Sequence, residues 1–283
     1  PTQIEFVDIA GLVRGASQGE GLGNQFLAHI REVDAIAYVL RCFESDDITH
    51  VEGNIDPIRD AETVETELML ADLESLERRA DSAAKKARAK DKIALQEAPV
   101  MARILAVLRD GQPARVITDW SREERIIVRQ LQLLTTKPVL YVCNVDEESA
   151  ANGNALSAKV FAQAAAEDTE AVVISAAIEA EISQLGSVEE KNEFLETLGL
   201  EEAGLNRLIA AGYRLLDLIT FFTVGPKEAR AWTVRREATA PQAAGVIHSD
   251  FERGFIRAET IAYDDFERLG GEQGAKDSGK MRV

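Results

Sequence analysis

The sequence predicts an α/β fold: a parallel sheet covered by helices, an inserted antiparallel helical hairpin, and a smaller α+β domain at the C-terminal end. Continuous apolar runs at residues 35–40, 138–143 and 171–174 are typical of strands in a parallel sheet that is covered on both faces. Residues 60–118 change to a helical period. From Phe221 onward the runs are short and strand-like, which indicates a separate small domain.

The composition is that of a globular chain of 283 residues, with 46% hydrophobic and 29% charged residues. No apolar run approaches the length of a membrane-spanning helix, and no signal peptide precedes the first predicted strand. No membrane partner is therefore expected. Cys42 and Cys143 are too few for a disulfide scaffold, so we expect reduced thiols and a cytoplasmic location.

The first motif follows a short apolar segment near the start of the chain. Ile4, Phe6 and Val7 predict a buried strand, and Asp8-x-x-Gly11 comes directly after it. In P-loop nucleotide hydrolases an aspartate at this place holds the Mg²⁺ shell, and the glycine amide contacts the γ-phosphate. The four-residue pattern alone is common, and a strand-to-loop turn capped by Asp8 is the simpler interpretation of it.

A glycine-rich loop at residues 19–24 comes next. Its Gly-x-Gly-x-Gly spacing differs from the Gly-x-Gly-x-x-Gly of a dinucleotide fingerprint, and a hinge loop fits it better. Phe26, Leu27 and Ile30 then predict one apolar face of a short helix.

Residues 60–118 predict a helical hairpin. Apolar residues recur at alternating intervals of four and three, first in one segment and then in a second, which is the seam of two packed helices. The first series is Met69, Leu73, Leu76, Ala80, Ala83 and Ala87, and the second is Ala94, Ala98, Met101, Leu105 and Leu108. Pro99 should kink the second helix or mark where it begins.

The charge is unevenly distributed along the chain. The net charge is −17, yet residues 78–92 hold seven Lys or Arg against two Asp, which is +5. A basic segment in an acidic protein indicates a local contact with an anionic partner, although a solvated helix face is the commoner meaning of such a run.

Two polar motifs follow predicted strands. Asn144-Val145-Asp146-Glu147 comes after the strand at 138–143, and Ser175-Ala176-Ala177 after the one at 171–174. Open α/β sheets bind ligands beyond the carboxyl ends of their strands, so these motifs are candidates for a binding site. In the alternative interpretation, residues 144–147 only cap the following helix.

The remaining elements are predicted from local signals. Ser121 and Glu124 have the spacing of a capping box. Helices are expected at 188–198 and 203–217, and strand-like runs of the last domain at 231–234 and 255–258.

Together these motifs resemble the YchF subfamily of Obg-like P-loop ATPases. Asp8-x-x-Gly11, Asn144-x-x-Glu147 and Ser175-Ala176-Ala177 occur in the order of that subfamily, and residues 21–31 resemble the segment that follows its first motif. The predicted hairpin insertion and the small domain at the C-terminal end also match the subfamily. The resemblance covers essentially the whole chain. It implies an OBG-type nucleotide-binding domain at residues 1–216 with the insertion at about 60–118, and a β-grasp TGS domain at 217–283.

The resemblance also implies roles near the phosphates. Asp8 would act on Mg²⁺ through water, and the Gly11 amide on the γ-phosphate. Leu12 occupies the place where many GTPases have a glutamine that orients water. Leucine cannot position water by hydrogen bonding, so slow intrinsic turnover is expected. No metal other than Mg²⁺ is implied, since His29, His50 and His248 are scattered without ligand-like spacing.

A second set of roles concerns the base. Asn144, Val145 and Glu147 would surround it, and Ser175 with Ala176 would close the pocket. Val145 and Glu147 replace the Lys and Asp with which GTPases read guanine, so ATP is expected to be preferred over GTP. In a P-loop core of this topology the strands that carry Cys42 and Cys143 should be neighbours, and both thiols should lie near the carboxyl ends of their strands.

The chain also departs from the subfamily. No Gly-x-x-x-x-Gly-Lys-Ser/Thr occurs in it, although the subfamily carries one near its N-terminus. Pro1 leads almost directly into the first predicted strand, and the TGS domain would continue past Val283. We therefore expect an internal piece of an ATPase that by itself is inactive.

The resemblance finally implies partners. These are ATP as substrate, and the ribosome (its large subunit) or RNA, bound through the basic hairpin tip and the TGS domain with help from Arg230, Arg235 and Arg236; no DNA is implied. The competing hypotheses are a ribosome or RNA adaptor whose NTPase core is only a scaffold, and a GTPase.

Overall fold

The computed structural model describes residues 2–9, 22–44, 55–225 and 228–283. The contacts divide the chain into two compact units, one formed by Ile4–Leu216 and the other by Asp217–Val283 together with Pro1–Gln3. Each is described by itself below.

The larger unit is built on a parallel sheet of three strands. In chain order these are β1 (Ile36–Arg41), β2 (Val139–Asn144) and β3 (Glu170–Ile174), and their spatial order is the same. All three predicted strands are thereby confirmed. The register pairs Leu40 with Cys143 and Cys143 with Val173, so the carboxyl ends of the three strands lie at one edge of the sheet.

Eight helices are described in this unit. They are α1 (Leu22–Glu32), α2 (Pro57–Arg88), α3 (Lys92–Arg109), α4 (Arg122–Leu131), α5 (Ala155–Ala166), α6 (Ala176–Gln184), α7 (Val188–Thr197) and α8 (Gly204–Leu215). A single 3-10 turn, Ala114–Val116, precedes α4. No helix in the described ranges is long and apolar enough to cross a membrane.

Both faces of the sheet are covered, which explains the continuous apolar runs. Successive side chains of a strand point to opposite faces. On β2, Tyr141 and Cys143 lie in the main core cluster together with residues of α1, α2 and α5. Leu140 and Val142 lie in a second cluster against Ala211 of α8.

The predicted hairpin is present. α2 and α3 are joined by three residues and pack against each other along the predicted seam, where Leu76, Met101 and Leu105 are buried. Asp91 begins α3 by accepting a hydrogen bond from Ala94 N at 2.9 Å. Pro99 therefore lies inside α3, and the expectation that it marks the helix start is wrong because the Asp91 cap sets that start.

The capping box before α4 is confirmed as well. Glu124 N donates to Ser121 Oγ at 3.2 Å, and Ser121 N donates to a Glu124 carboxylate oxygen at 2.8 Å.

The strand predicted at residues 4–7 is wrong. Residues 2–9 form no strand, and Phe6 and Val7 are 48% and 53% exposed. In the described part of the chain no strand lies beside this segment to take its hydrogen bonds. Its apolar side chains lie close to α8 instead: a Cβ built on Gly212 would lie 3.3 Å from Ile4 Cδ1 and 3.8 Å from Phe6 Cζ.

The smaller unit is α+β, as predicted. β4 (Leu218–Val224) and β5 (Ala229–Arg235) form an antiparallel pair in which Phe221 lies opposite Trp232. Its helices are α9 (Ala240–Ile247), α10 (Ser249–Arg253), α11 (Tyr263–Arg268) and α12 (Glu272–Asp277).

One strand predicted in this unit is wrong. Residues 255–258 belong to no strand, and Ile256 is 90% exposed. The pairing nearest to them is an isolated bridge between Thr260 and Arg282, and no strand among the described residues covers the apolar run.

Candidate functional site

The structure brings the two polar motifs together at the carboxyl edge of the sheet. Asn144, the last residue of β2, accepts a hydrogen bond at its Oδ1 from the backbone N–H of Ala176, at 3.0 Å. The backbone N–H of Val145 donates to the carbonyl oxygen of Ile174, at 2.9 Å. The segments after β2 and β3 are therefore joined by two hydrogen bonds.

Asn144 is held from the other side by the segment after β1. Cys42 N donates to the carbonyl oxygen of Asn144 at 2.8 Å. Because Ala176 N occupies the Asn144 Oδ1, the remaining polar atom of the side chain is Nδ2, and no described residue accepts from it. The amide nitrogen is thus the group that this asparagine offers to a ligand.

Ser175, the first residue of the second motif, has an unpaired hydroxyl. The residue is 2% exposed, and its Oγ has no hydrogen-bond partner in the described part of the chain. It is the N-cap residue of α6, but its side chain makes no capping hydrogen bond. A buried hydroxyl without a partner is uncommon, and it is a group that a bound ligand or water would satisfy.

Val145 and Glu147 are placed in opposite surroundings. Val145 is 2% exposed and belongs to the main core cluster. Glu147 is exposed at the surface, as are Asp146 and Ala176. The carboxylate of Glu147 is therefore accessible to a ligand, whereas the side chain of Val145 is part of the core.

The structure excludes the helix-capping interpretation of residues 144–147. Asp146 Oδ1 accepts from Ser149 N at 2.8 Å within the turn, which is not a helix. The next helix, α5, is capped by Asn154, whose Oδ1 accepts from the N–H groups of Leu156 and Ser157, each at 3.0 Å.

Asn154 is a residue of this region that the sequence analysis missed. Its Nδ2 donates to the carbonyl oxygen of Cys42 at 2.6 Å, so it joins the end of β1 to the start of α5. The spacing of Asn154 and Ser157, which form a capping box, is the signal that would have identified it.

The two cysteines lie side by side below the motifs, as predicted. Both are free and fully buried. Cys143 lies in β2 opposite Leu40 of β1, and Cys42 comes directly after β1. The hydrogen bond with Cys42, together with burial, raises the pKa of the Cys143 thiol. Cys143 is therefore protonated at neutral pH.

The first motif is only partly described. Asp8 is exposed, and the neighbouring Ile9 packs on the main core cluster, which also contains Val145. Gly11 and Leu12 lie outside the described residues, as do His50 and residues 19–21 of the glycine-rich loop, whose residues 22–24 begin α1.

The resemblance implies a magnesium ion, and the exposed carboxylate of Asp8 is one group that could hold it. The described residues contain no group of three His, Cys, Asp or Glu that could hold a metal. An exposed carboxylate without such a cage suits Mg²⁺, which keeps several waters and is bound by one or two carboxylates plus substrate phosphates.

A partly buried polar network connects β1 to α2, the first helix of the hairpin. Glu65 of α2 accepts from Tyr38 OH at 2.8 Å and from both terminal nitrogens of Arg115, at 2.9 and 2.8 Å. The Tyr38 ring stacks on Tyr141 with centroids 5.7 Å apart. Burial, and next the charge of Glu65, raises the pKa of Tyr38, so its hydroxyl remains a donor.

The basic residues of the hairpin tip are exposed. They are Arg78, Arg79, Lys85, Lys86, Arg88, Lys90 and Lys92. Arg79 donates to the carbonyl oxygen of Leu131 at 2.7 Å, and Arg78 lies 3.4 Å from Glu74. The remaining five form a cationic surface around the loop between α2 and α3.

Comparison with family models gives two matches. Residues 1–70 match the model MMR_HSR1, described as a 50S ribosome-binding GTPase. Residues 218–283 match YchF-GTPase_C, described as a protein of unknown function.

Individual relatives are similar over the whole chain. The ribosome-binding ATPase YchF of Bacillus subtilis is 52% identical over 285 residues, which is 100% of this chain and 77% of the relative. That of Haemophilus influenzae is 55% identical over 283 residues, with the same coverage. Obg-like ATPase 1 of Rattus norvegicus is 43% identical over 287 residues, covering 100% of this chain and 72% of the relative.

A solved structure also matches. The Schizosaccharomyces pombe YchF GTPase superposes with a TM-score of 0.82 at 36% sequence identity, covering 95% of this chain and 72% of that one. The names of these relatives differ in the nucleotide: the Bacillus subtilis protein is called an ATPase and the Schizosaccharomyces pombe protein a GTPase.

Proposed function

The chain belongs to the YchF family of Obg-like ATPases, and on this basis we propose that it is an ATP-binding and ATP-hydrolysing switch protein that binds the ribosome. The observation that carries the proposal is the hydrogen bond between Asn144 Oδ1 and Ala176 N, which joins the two base-side motifs at the carboxyl edge of the sheet. The proposal assigns residues 1–216 to an OBG-type nucleotide-binding domain with the hairpin inserted at about 60–118. It assigns residues 217–283 to a TGS domain.

The base would lie between the two motifs. Asn144 Nδ2 is a donor without an acceptor, Ser175 Oγ is an unpaired buried hydroxyl, and Glu147 carries an accessible carboxylate. Adenine offers N6–H₂ as a donor and N1 as an acceptor, which these groups and the nearby backbone can satisfy. Glutamate is longer than the aspartate of GTPases by one methylene and would crowd a guanine placed for aspartate. ATP is therefore the proposed substrate.

The phosphates would lie toward Asp8. When bound, Mg²⁺ neutralises phosphate charge, and Asp8 is the residue that would hold it through water. Gly11 would contact the γ-phosphate by its amide. Leu12 cannot orient the attacking water, so turnover would be slow unless another group or a partner does so.

The chain of 283 residues is proposed to be inactive by itself. It contains no Gly-x-x-x-x-Gly-Lys-Ser/Thr, the loop whose amides and lysine hold the phosphates. Base contacts alone would then hold the nucleotide, and binding would be weak. Turnover above a blank, in protein free of contaminating ATPases, would show that the active site is elsewhere.

Ribosome binding would use the cationic hairpin tip. Lys85, Lys86 and Arg88 are exposed and close in sequence, and they suit phosphate backbones rather than bases. In the smaller unit, Arg230 stacks on Trp232 at 4.2 Å, whereas Arg236 is paired with Asp217. The hairpin tip is thus the stronger candidate, and a cytoplasmic location goes with this partner.

A nucleotide switch differs from an adaptor in one measurable respect. We would join the family's P-loop segment before residue 1 and measure ATP turnover and ribosome binding. For the switch, Asp8→Ala abolishes turnover while nucleotide binding remains, and ribosome affinity depends on the nucleotide. Equal ribosome affinity with and without nucleotide would favour the adaptor, whose NTPase core is a scaffold.

A GTPase is the second candidate. The observation that favours it is the match of residues 1–70 to a ribosome-binding GTPase model. Competition between ATP and GTP for the extended chain decides between them, since a clear preference for GTP would overturn the proposed base choice.

A further inference from the structure

Asn154 makes more contacts at the carboxyl edge of the sheet than the start of a helix requires. Its Oδ1 accepts from the backbone N–H groups of Leu156 and Ser157, each at 3.0 Å, and so caps α5. Its Nδ2 donates to the carbonyl oxygen of Cys42 at 2.6 Å. Capping uses only an acceptor, which an aspartate or a serine also supplies. The contact with Cys42 depends on the amide nitrogen, which those side chains lack.

The hydrogen bonds of Asn154 fix which way its amide faces. With Oδ1 and Nδ2 exchanged, an NH₂ group would face two backbone N–H donors, and an acceptor oxygen would face the Cys42 carbonyl oxygen. All three contacts would then be repulsive, whereas in the arrangement present each one joins a donor to an acceptor. The amide nitrogen of Asn154 is therefore directed at Cys42.

Cys42 links this contact to Asn144. It is fully buried and comes directly after β1, where the backbone ladder of the strand ends. Its N–H donates to the carbonyl oxygen of Asn144 at 2.8 Å, so both of its backbone polar groups are held, one by Asn144 and one by Asn154. Asn144 in turn accepts from Ala176 N at its Oδ1. A continuous series of hydrogen bonds therefore runs from Asn154 to the second base-side motif.

Asn154 also lies at the end of the loop that carries Glu147. Its Nδ2 is 3.5 Å from Ser149 Oγ, a second and longer contact. Ser149 holds that loop together, since its N–H donates to Asp146 Oδ1 at 2.8 Å and its carbonyl oxygen accepts from Gly153 N at 2.7 Å. The amide nitrogen that faces the end of β1 thus also contacts the loop that carries Glu147.

We propose that Asn154 is a positioning residue of the base site, which holds the side chain of Asn144 and the loop of Glu147 where they meet adenine. The inference rests on the proposed function, because it takes these two residues as base contacts. Asn154 itself does not touch the nucleotide and acts through its hydrogen bonds to Cys42 and Ser149. A site that is ordered before binding loses less conformational freedom when the ligand binds, so this positioning increases affinity.

Substitutions of Asn154 separate the helix cap from the contact with Cys42. Asn154→Asp keeps an acceptor for α5 but places a carboxylate oxygen against the Cys42 carbonyl oxygen, and Asn154→Ser keeps an acceptor without adding charge. The matched control is Asn152→Asp, which adds the same charge at an exposed position two residues earlier in the same loop. Thermal unfolding of each variant verifies that it folds.

The first measurement is hydrogen exchange of backbone amides in the 283-residue chain, followed by NMR without nucleotide. Ala176 N–H is the reporter, because it donates to Asn144 Oδ1. Its exchange should be at least about tenfold faster in both Asn154 variants and within about twofold of the parent protein in Asn152→Asp. A residue that only caps α5 would leave this exchange unchanged when Asp or Ser replaces it. That result, or equal acceleration in Asn152→Asp, would overturn the proposal.

The second measurement is titration of the same chain with ATP, followed by the NMR signals of the Asn144 side-chain amide and of Ala176 N–H. We expect the affinity for ATP to be about threefold or more weaker in both Asn154 variants and unchanged in Asn152→Asp. Unchanged affinity in both Asn154 variants would overturn the positioning role. If ATP moves neither signal in the parent protein, the base site of the proposed function is wrong, and the exchange measurement still decides whether Asn154 holds Asn144.

Discussion

Asp72 of α2 accepts two hydrogen bonds from Thr135, one from the backbone N–H at 2.8 Å and one from the hydroxyl at 2.7 Å. Its other oxygen accepts from Leu134 N at 2.9 Å. The three residues are fully or almost fully buried, and Thr135 precedes β2 by three residues of loop. This contact fastens the base of the hairpin to the sheet that carries Asn144.

Asp72→Asn should destabilise the protein by about 2–4 kcal/mol. An amide has one acceptor oxygen where the carboxylate has two, and its NH₂ would face a buried N–H donor. Denaturant unfolding measures the difference. Asp81→Asn, at an exposed position of the same helix, is the control and should change stability by less than about 0.5 kcal/mol. Equal effects of the two changes would remove the structural role given to Asp72.

The ion pair of Arg115 and Glu65 should contribute more to the free energy of unfolding than the exposed pair of Arg109 and Glu77. Their side chains are 18% and 14% exposed, so Arg115→Ala leaves a nearly buried carboxylate without its partner and should cost about 3–5 kcal/mol. Arg109 pairs with Glu77 where both are about half exposed. Arg109→Ala should therefore cost less than about 1 kcal/mol.

The measurement for this pair is urea unfolding of both variants. If Arg115→Ala lowers the free energy of unfolding by no more than Arg109→Ala does, the network around Glu65 contributes little to joining α2 to the sheet.

Charge reversal at Lys85, Lys86 and Arg88 should weaken binding to ribosomes or RNA. Log affinity decreases with log salt concentration. If each residue neutralises about one phosphate, the magnitude of that slope should decrease by about 0.7–0.9 for each residue reversed. Filter binding over a salt series gives both numbers. Arg122→Glu, Lys159→Glu and Lys191→Glu together form the control, with the same charge change outside the hairpin. Unchanged affinity after the hairpin reversal would remove the hairpin from the binding surface.

Glu147→Asp, in the chain extended with the P-loop, should shift the preference from ATP toward GTP by roughly tenfold or less. The shorter side chain makes room for guanine, but no residue of the motif is a dedicated reader of adenine N6, so the discrimination stays far below the largest known values. Competitive binding of ATP and GTP measures the ratio. Glu148→Asp, one residue later and also exposed, is the control.

Val145→Lys is a second substitution at the base-side motif, and the burial of Val145 makes it unsuitable as a test of base choice. Val145→Lys would restore the GTPase pattern in the sequence, but Val145 is 2% exposed and belongs to the core. A lysine there would bury a charge, so loss of binding in that variant would report on folding. If Glu147→Asp alone leaves the ratio of ATP affinity to GTP affinity unchanged, residues 144–147 do not determine base choice.

The amino-acid sequence by itself determined the elements whose signals are local. Continuous apolar runs identified β1, β2 and β3, and alternating spacing of four and three identified the hairpin seam that Leu76 and Leu105 occupy. Residues 121 and 124 identified a helix start. The order of the motifs identified the family. For the strands, the seam and the helix start, the physical cause is a buried face or a cap, and it acts within a few residues along the chain.

Only the tertiary structure decided the relationships between distant residues. Asp72 and Thr135 are 63 positions apart and Glu65 and Arg115 are 50 apart, so no periodicity connects them. The central position of β2 between β1 and β3 likewise depends on which strands pair. The apolar residues at 4–7 and 255–258 form no strand because a strand needs a neighbour to take its hydrogen bonds. Whether a neighbour is present is a property of the packed chain and not of the segment.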